Sequence, residues 1–184
     1  VFVDSLDLYK HRDRERFLYN LLDRFDVRDR LQLEEDLNQI ADICEHVPEH
    51  PARNFREAIE SQWFTQVGSR MEQMHGGIIG NGRIDQYLYP FYAQDIAEGR
   101  ITDDEVLELF ELMWLKMSET PRFQPSAPGA SIWEANAHYE QTTIGGQTRE
   151  GKDATNELTY LILKSKRELP FNYPDLSVRI HAKT

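Results

Sequence analysis

The sequence predicts an α/β fold that is mostly helical with a few strands. Apolar residues recur at helical spacing over most of the 184 residues. Two short stretches, "YEQTTIGG" and "LSVRIH", instead read as strands, and a helical segment lies between them. Strand, helix, strand is the order of a right-handed crossover between parallel strands.

The helices follow in order. Residues 2–24 and 30–46 are charged helical stretches. Leu18, Leu21, Leu22 and Phe25 form one apolar stripe; Leu33, Leu37, Ile40 and Cys44 form another. "HVPEHP" breaks the second helix. Asn54 is placed to cap a third, over 55–73, in which Phe55, Ile59, Trp63 and Val67 recur about once per turn. A glycine-rich loop, 76–82, comes next, and then a helix over 86–98 entered at Pro90. Thr102 and Glu105 have capping-box spacing before "DDEVLELFELMWLKMSE", which is apolar nearly all round. Such a helix calls for cover from outside this chain. Residues 119–138 read as a long loop. Asp153 is expected to cap a helix that runs to 168, and "LPFNYPD" is extended because each proline restricts its predecessor.

Composition narrows the function. Hydrophobic residues make up 40% and charged residues 29%, a globular balance. A net charge of -11 with no basic patch argues against nucleic acid and anionic membrane surfaces as partners. No apolar run has the length of a membrane span, and no signal peptide opens the chain. The single cysteine, Cys44, excludes an internal disulfide framework and fits a reducing cytoplasm. The chain opens at Val1 without a Met and stops at Thr184 just after a strand, so it is expected to be an internal fragment.

No catalytic constellation can be argued from spacing. "GGIIGNGR" lacks the Lys-Ser/Thr of a phosphate loop and has the wrong spacing for a dinucleotide fingerprint. It is either a tight helix exit or a backbone skirting a cavity, with Ile78 and Ile79 as apolar walls. Arg83 and Asp85 beside it are expected to pair as a structural pin. His46 and His50 have Pro48 between them, and no clustered Cys/His set suggests a metal. His75 and His138 abut suspected site stretches. Cys44 lies on an apolar stripe and reads as a buried hydrophobe.

"HPARNFREAIESQWF", "GRIDQYLYPFYAQDIAEGRIT", "ELMWLKMSE", "TIGGQTREGKDATNELTYLIL" and "PDLSVRIHAKT" together resemble the pyruvate formate-lyase-like glycyl radical enzymes. The resemblance implies a ten-stranded α/β barrel of two antiparallel five-stranded half-sheets. In it, residues 1–50 are a helical lead-in and 51–184 are barrel-wall helices and strands. It further implies a backbone glycyl radical installed by a separate radical-SAM activating enzyme, and a barrel cysteine that becomes a thiyl radical. Cys44 does not match that cysteine; both radical positions are expected past Thr184, so this segment carries no cofactor or catalytic residue of its own. A homodimer or larger assembly, with small accessory subunits in some members, is the implied partner set beside a small-molecule substrate.

Two positions carry over by resemblance. Tyr139 matches a substrate-facing aromatic, with His138 beside it. Gly80 matches a position often held by Ser; its bareness here favours an apolar or aromatic substrate. The "SRMEQ" run and the apolar loop point to radical addition of a hydrocarbon to fumarate, as in benzylsuccinate or alkylsuccinate synthases. The alternative is a lyase, dehydratase or arylacetate decarboxylase of the same family. Outside the family, a non-catalytic helical scaffold also fits the acidic composition.

Overall fold

The computed structural model describes residues 27–72, 80–119, 141–170 and 174–180. The chain divides into two compact units, Val1–His46 and Val47–Thr184. In the first, α1 (Val27–His46) is a single helix. Leu33, Leu37 and Cys44 on it are partly buried, while Ile40 is half exposed. The helix ends ahead of Pro48, whose ring disfavours helical geometry in the preceding residue; the Val47–Pro48 peptide is cis. The helix expected over 2–24 lies outside the described residues.

The second unit runs α2 (Phe55–Glu72), β1 (Gly80–Arg83), α3 (Ile84–Tyr87), α4 (Tyr89–Ala97), α5 (Asp103–Glu119), β2 (Gln141–Gly145), α6 (Glu157–Glu168) and β3 (Asp175–Arg179). The strands form one parallel sheet in the order β1-β2-β3. β2, α6 and β3 form the expected strand–helix–strand unit with parallel strands.

β1 departs from the sequence reading, which places Gly80 in a loop. "GNGR" has no β-branched or aromatic residue to signal a strand; its pairing is supplied by β2. The register shifts between Gly80 and Gly82, which leaves Asn81 as an extra residue.

Local chemistry explains the helix starts. The Asn54 side-chain oxygen accepts from the Glu57 N–H (2.9 Å), as its capping role requires. At α5, Glu105 Oε2 accepts from the Thr102 N–H and hydroxyl, both at 2.8 Å, and Thr102 Oγ1 accepts from the Glu105 N–H at 3.3 Å. These bonds hold the Glu105 carboxyl below its usual pKa. The helix expected over 86–98 is two helices, α3 and α4, separated at Leu88. Pro90 lies in the first turn of α4, where its missing N–H breaks no helical bond. Asp153 is not the cap of α6. Asn156 takes that place: its side chain accepts from the Thr159 N–H (3.0 Å), and its own N–H donates to Thr159 Oγ1 (3.1 Å). Asp153 instead accepts from the Thr155 N–H and hydroxyl in the preceding turn.

The core gathers Phe55 and Ile59 from α2, Ile84 and Leu88, Phe110, Trp114 and Met117 from α5, Ile144 from β2, and Leu158 and Ile162 from α6. Each large apolar side chain so buried contributes roughly 1.5–3 kcal/mol. α5 proves less dependent on outside cover than its sequence suggests. α2 and α6 pack against it and bury Val106, Phe110, Met113, Trp114 and Met117, leaving Leu112 exposed. The Trp114 indole is satisfied as well as buried, since Nε1 donates to Ser165 Oγ at 2.8 Å. Asp95 of α4 reaches back to α2 and accepts from the Phe55 N–H at 2.8 Å.

The turn after β2 depends on glycine. Gly145 has φ +70°, and a Cβ there would lie 2.9 Å from the Arg179 carbonyl oxygen of β3. Gly145→Ala is therefore expected to destabilise the protein by roughly 1–3 kcal/mol, seen as a lower thermal midpoint of the full-length protein. An unchanged midpoint would contradict this close strand approach.

Candidate functional site

In a parallel sheet, register partners point to the same face. Thr142 and Ile144 of β2 are fully buried on the face that meets the core. The opposite face carries Gln141 and Thr143 of β2 and their partners Asp175 and Ser177 of β3, with Arg179 beside Gly145. β1 contributes Gly80, paired with Gln141, and Arg83, paired with Thr143. Every side chain on this face is polar. Gln141 Nε2 donates to Ser177 Oγ across the strands at 2.7 Å.

At the amino end of the sheet, Gly80 is exposed. A Cβ added there would meet only the Gln141 carbonyl oxygen, at 3.5 Å, so sterics do not forbid a small side chain. Next to it, Asn81 turns into the core. Its side-chain oxygen accepts from Gln62 Nε2 (3.0 Å), and its Nδ2 donates to Thr142 Oγ1 (2.9 Å) and lies 3.6 Å from Met117 Sδ. The Tyr87 hydroxyl donates to the Asn81 carbonyl oxygen at 3.0 Å, and burial pushes that hydroxyl above the ordinary phenol pKa. Sequence reasoning missed this cluster, because Gln62, Asn81 and Thr142 stand in three separate stretches whose spacing does not show that they meet. Gln66, one turn beyond Gln62, is 1% exposed, with neither amide atom hydrogen-bonded among the described residues.

At the carboxyl end, Asp85 is fully buried. Its Oδ2 accepts from the Gly145 N–H (2.7 Å) and from the Thr159 hydroxyl (2.6 Å). Its backbone oxygen accepts from Asn156 Nδ2 at 3.0 Å. One residue thus joins α3 to the end of β2 and the start of α6. The sequence reading pairs Asp85 with Arg83, and the structure corrects this: no ion pair joins them. α3 starts between the two residues, so Asp85 turns into the core while Arg83 stays on the strand. Arg83 Nη1 donates instead to the Gln147 carbonyl oxygen at 2.9 Å.

Ile78, Ile79, His138 and Tyr139 lie outside the described residues, as does His75. Among the described residues no group of acidic, His or Cys side chains could hold a metal ion, and no helix is long and apolar enough to cross a membrane. A groove of ≈ 370 Å³ is lined by Arg56, Arg100, Ile101, Glu105, Leu109 and Leu112 among others. It contains none of the sequence-predicted site residues.

The profile of the pyruvate formate lyase-like family matches residues 26–184. The chain belongs to this family. Isethionate sulfite-lyase of Nitratidesulfovibrio vulgaris is 57% identical over 149 residues, which cover 81% of the chain and 18% of that protein. Trans-4-hydroxy-L-proline dehydratase of Clostridioides difficile is 33% identical over 151 residues, 81% of the chain and 19% of that protein. A solved glycyl radical enzyme from Archaeoglobus fulgidus superposes with a TM-score of 0.75 at 36% identity, over 91% of this chain and 21% of its own. This pyruvate formate lyase-like chain therefore spans about a fifth of the length of the relatives it matches. These relatives favour the lyase or dehydratase alternative over hydrocarbon addition to fumarate.

The Asp85 contacts generate a test within this site. Asp85→Ala leaves the Gly145 N–H without its acceptor and the Thr159 hydroxyl with only the longer bond to Asn156 Oδ1 (3.2 Å), at a cost of about 2–4 kcal/mol. In the full-length protein, amide hydrogen exchange in a peptide covering 141–146 is expected to speed up by about thirtyfold or more. Thr159→Val removes one of the two donors and should have the smaller effect. Equal exchange in wild type and Asp85→Ala would remove Asp85 from its fastening role.

Proposed function

We propose that this chain is part of the wall of a glycyl radical lyase that breaks the carbon–sulfur bond of a small hydroxyalkanesulfonate such as isethionate. The observation that carries the proposal is the gap in identity, 57% to an isethionate sulfite-lyase against 33% to a dehydratase, over nearly the same residues. Three further isethionate sulfite-lyases stand at 53–56%. Isethionate has no apolar body, so the substrate inferred from the bareness of Gly80 gives way to a polar one. The polar sheet face suits such a substrate better than an apolar wall would.

In this reading the three parallel strands are a portion of one barrel half-sheet, and the reacting cysteine and glycine lie in other parts of the protein. The register sets Gly80 beside Gln141 at the amino end of the sheet. That adjacency supports a pocket shared by Ile78, Ile79, Gly80, His138 and Tyr139. The chain's contribution is enclosure: a thiyl or carbon radical persists only where water and stray hydrogen donors are excluded. A separate radical-SAM activating enzyme would install the glycyl radical, and the whole protein would act in the cytoplasm as a homodimer or larger assembly.

The reaction balances without an external oxidant. Loss of sulfite from isethionate leaves a two-carbon fragment at the aldehyde level, by internal redistribution of hydrogen. The full-length protein, activated anaerobically and given isethionate, is expected to release sulfite and aldehyde in equal amounts. Activity on a diol or hydroxyproline, with none on isethionate, would overturn the sulfonate reading in favour of a dehydratase.

A further inference from the structure

Arg83, Gly145 and Arg179 are the last residues of β1, β2 and β3 at the carboxyl end of the sheet; Gly145 pairs with Arg179, and Arg83 pairs with Thr143, two residues earlier. In open parallel sheets this edge is where ligands characteristically bind. Gly146 brings the two arginines together. A Cβ placed on it would lie 3.2 Å from Arg179 Cδ, 3.3 Å from Arg179 Cβ and 3.7 Å from Arg83 Cζ, so both side chains lie against the same bare backbone. The backbone is held in that position, since the Gly146 N–H donates to the Arg179 carbonyl oxygen at 3.0 Å.

The hydrogen-bond inventory of Arg83 is lopsided. Nη1 is bonded to the Gln147 carbonyl oxygen. Nε and Nη2 are shielded from solvent with no hydrogen-bond partner among the described residues. Those two nitrogens form one edge of the guanidinium, the fork that presents two parallel N–H groups to a pair of oxygens. A shielded donor without an acceptor is costly, and here two such donors point in one direction. Neither Arg83 nor Arg179 has an ion-pair partner among the described residues. Asp85, two residues from Arg83, commits Oδ2 to Gly145 and Thr159 on the core side; its Oδ1 is shielded without a hydrogen-bond partner among the described residues, and it makes no ion pair with Arg83. In a chain of net charge -11, two neighbouring cations without an acidic partner are a local departure from the overall charge.

We propose that Arg83 and Arg179 form a seat for a small-molecule tetrahedral oxyanion, a sulfonate, sulfate or phosphate group, at the carboxyl end of the sheet. The fork edge of Arg83 takes two oxygens, and the more exposed Arg179 closes on the group from the β3 side. The proposal concerns binding alone and stands apart from the carbon–sulfur lyase reading.

The test uses the full-length protein without activation, so that radical chemistry plays no part. Calorimetric titration with sodium sulfate, at ionic strength held constant with chloride, is expected to show binding to the wild type. Arg83→Gln and Arg179→Gln should each weaken it by about tenfold or more, the range for loss of a charge-assisted bond. Arg83→Lys should also weaken it, because a lysine keeps the charge but has no fork. Arg179 is exposed, so Arg179→Gln gives an answer even if substitution at Arg83 harms folding. Absence of sulfate binding by the wild type would overturn the proposal and assign the two arginines to a carboxylate of the protein itself. Equal binding by wild type and Arg179→Gln would overturn it too, by placing the anion elsewhere.

Discussion

Asp85 is the point on which the described sheet and its helices converge. A carboxylate with no solvent access is costly to bury, and the compensation must come from hydrogen bonds. Oδ2 supplies that compensation and with it the architecture, while Oδ1 has no hydrogen-bond partner among the described residues. The bond to Gly145 fixes the end of β2, the bond to Thr159 fixes the first turn of α6, and the backbone oxygen holds the α6 cap residue Asn156. Gly145 can receive that contact only because it has no side chain to hold β3 away. Asp85 and the double glycine are thus two halves of one constraint. Without the carboxylate the turn loses its anchor, and without the glycines the strands cannot close around it.

The result is a sheet with two unlike faces. One is cemented into a core of Phe110, Trp114, Ile144 and Ile162, and the other is wholly polar. A polar face with few internal bonds is of little use to stability. In the proposed lyase this face, with its hydroxyls, amide and guanidinium groups, would be the one turned to the substrate. The amino end of the same sheet is held by Asn81, which links β1 to α2 and β2 through Gln62 and Thr142. Both ends of the strands are therefore fixed by buried polar groups and not by apolar packing alone. Such anchoring is direction-specific, as the wall of the proposed radical enzyme would require.

Much of the fold was legible in the sequence where one short pattern decides the outcome. The caps at Asn54 and Thr102–Glu105, the α5 segment, and the β2–α6–β3 unit all follow from local spacing. What was not legible depends on pairing at a distance. β1 has the composition of a loop and becomes a strand only because β2 lies beside it. Asn156 displaces Asp153 as a cap because its partner Thr159 completes a reciprocal pair that spacing alone does not rank. Arg83 and Asp85 look like an ion pair because they are two apart, yet the helix that starts between them sends them to different surroundings. The contacts around the candidate site were not legible for the same reason. Motif resemblance pointed to Tyr139, which lies outside the described residues, and to Gly80, while the contacts of Gln62, Asn81 and Thr159 and the approach of Arg179 to Arg83 are matters of tertiary structure.

The proposed lyase depends on a glycyl radical. Electron paramagnetic resonance of the full-length protein, after anaerobic incubation with a radical-SAM activating enzyme, looks for that radical itself. The expected spectrum is the doublet of a glycine-centred radical coupled to its remaining α-hydrogen. A spectrum with no protein radical, from protein shown to be folded and exposed to a competent activase, would contradict it.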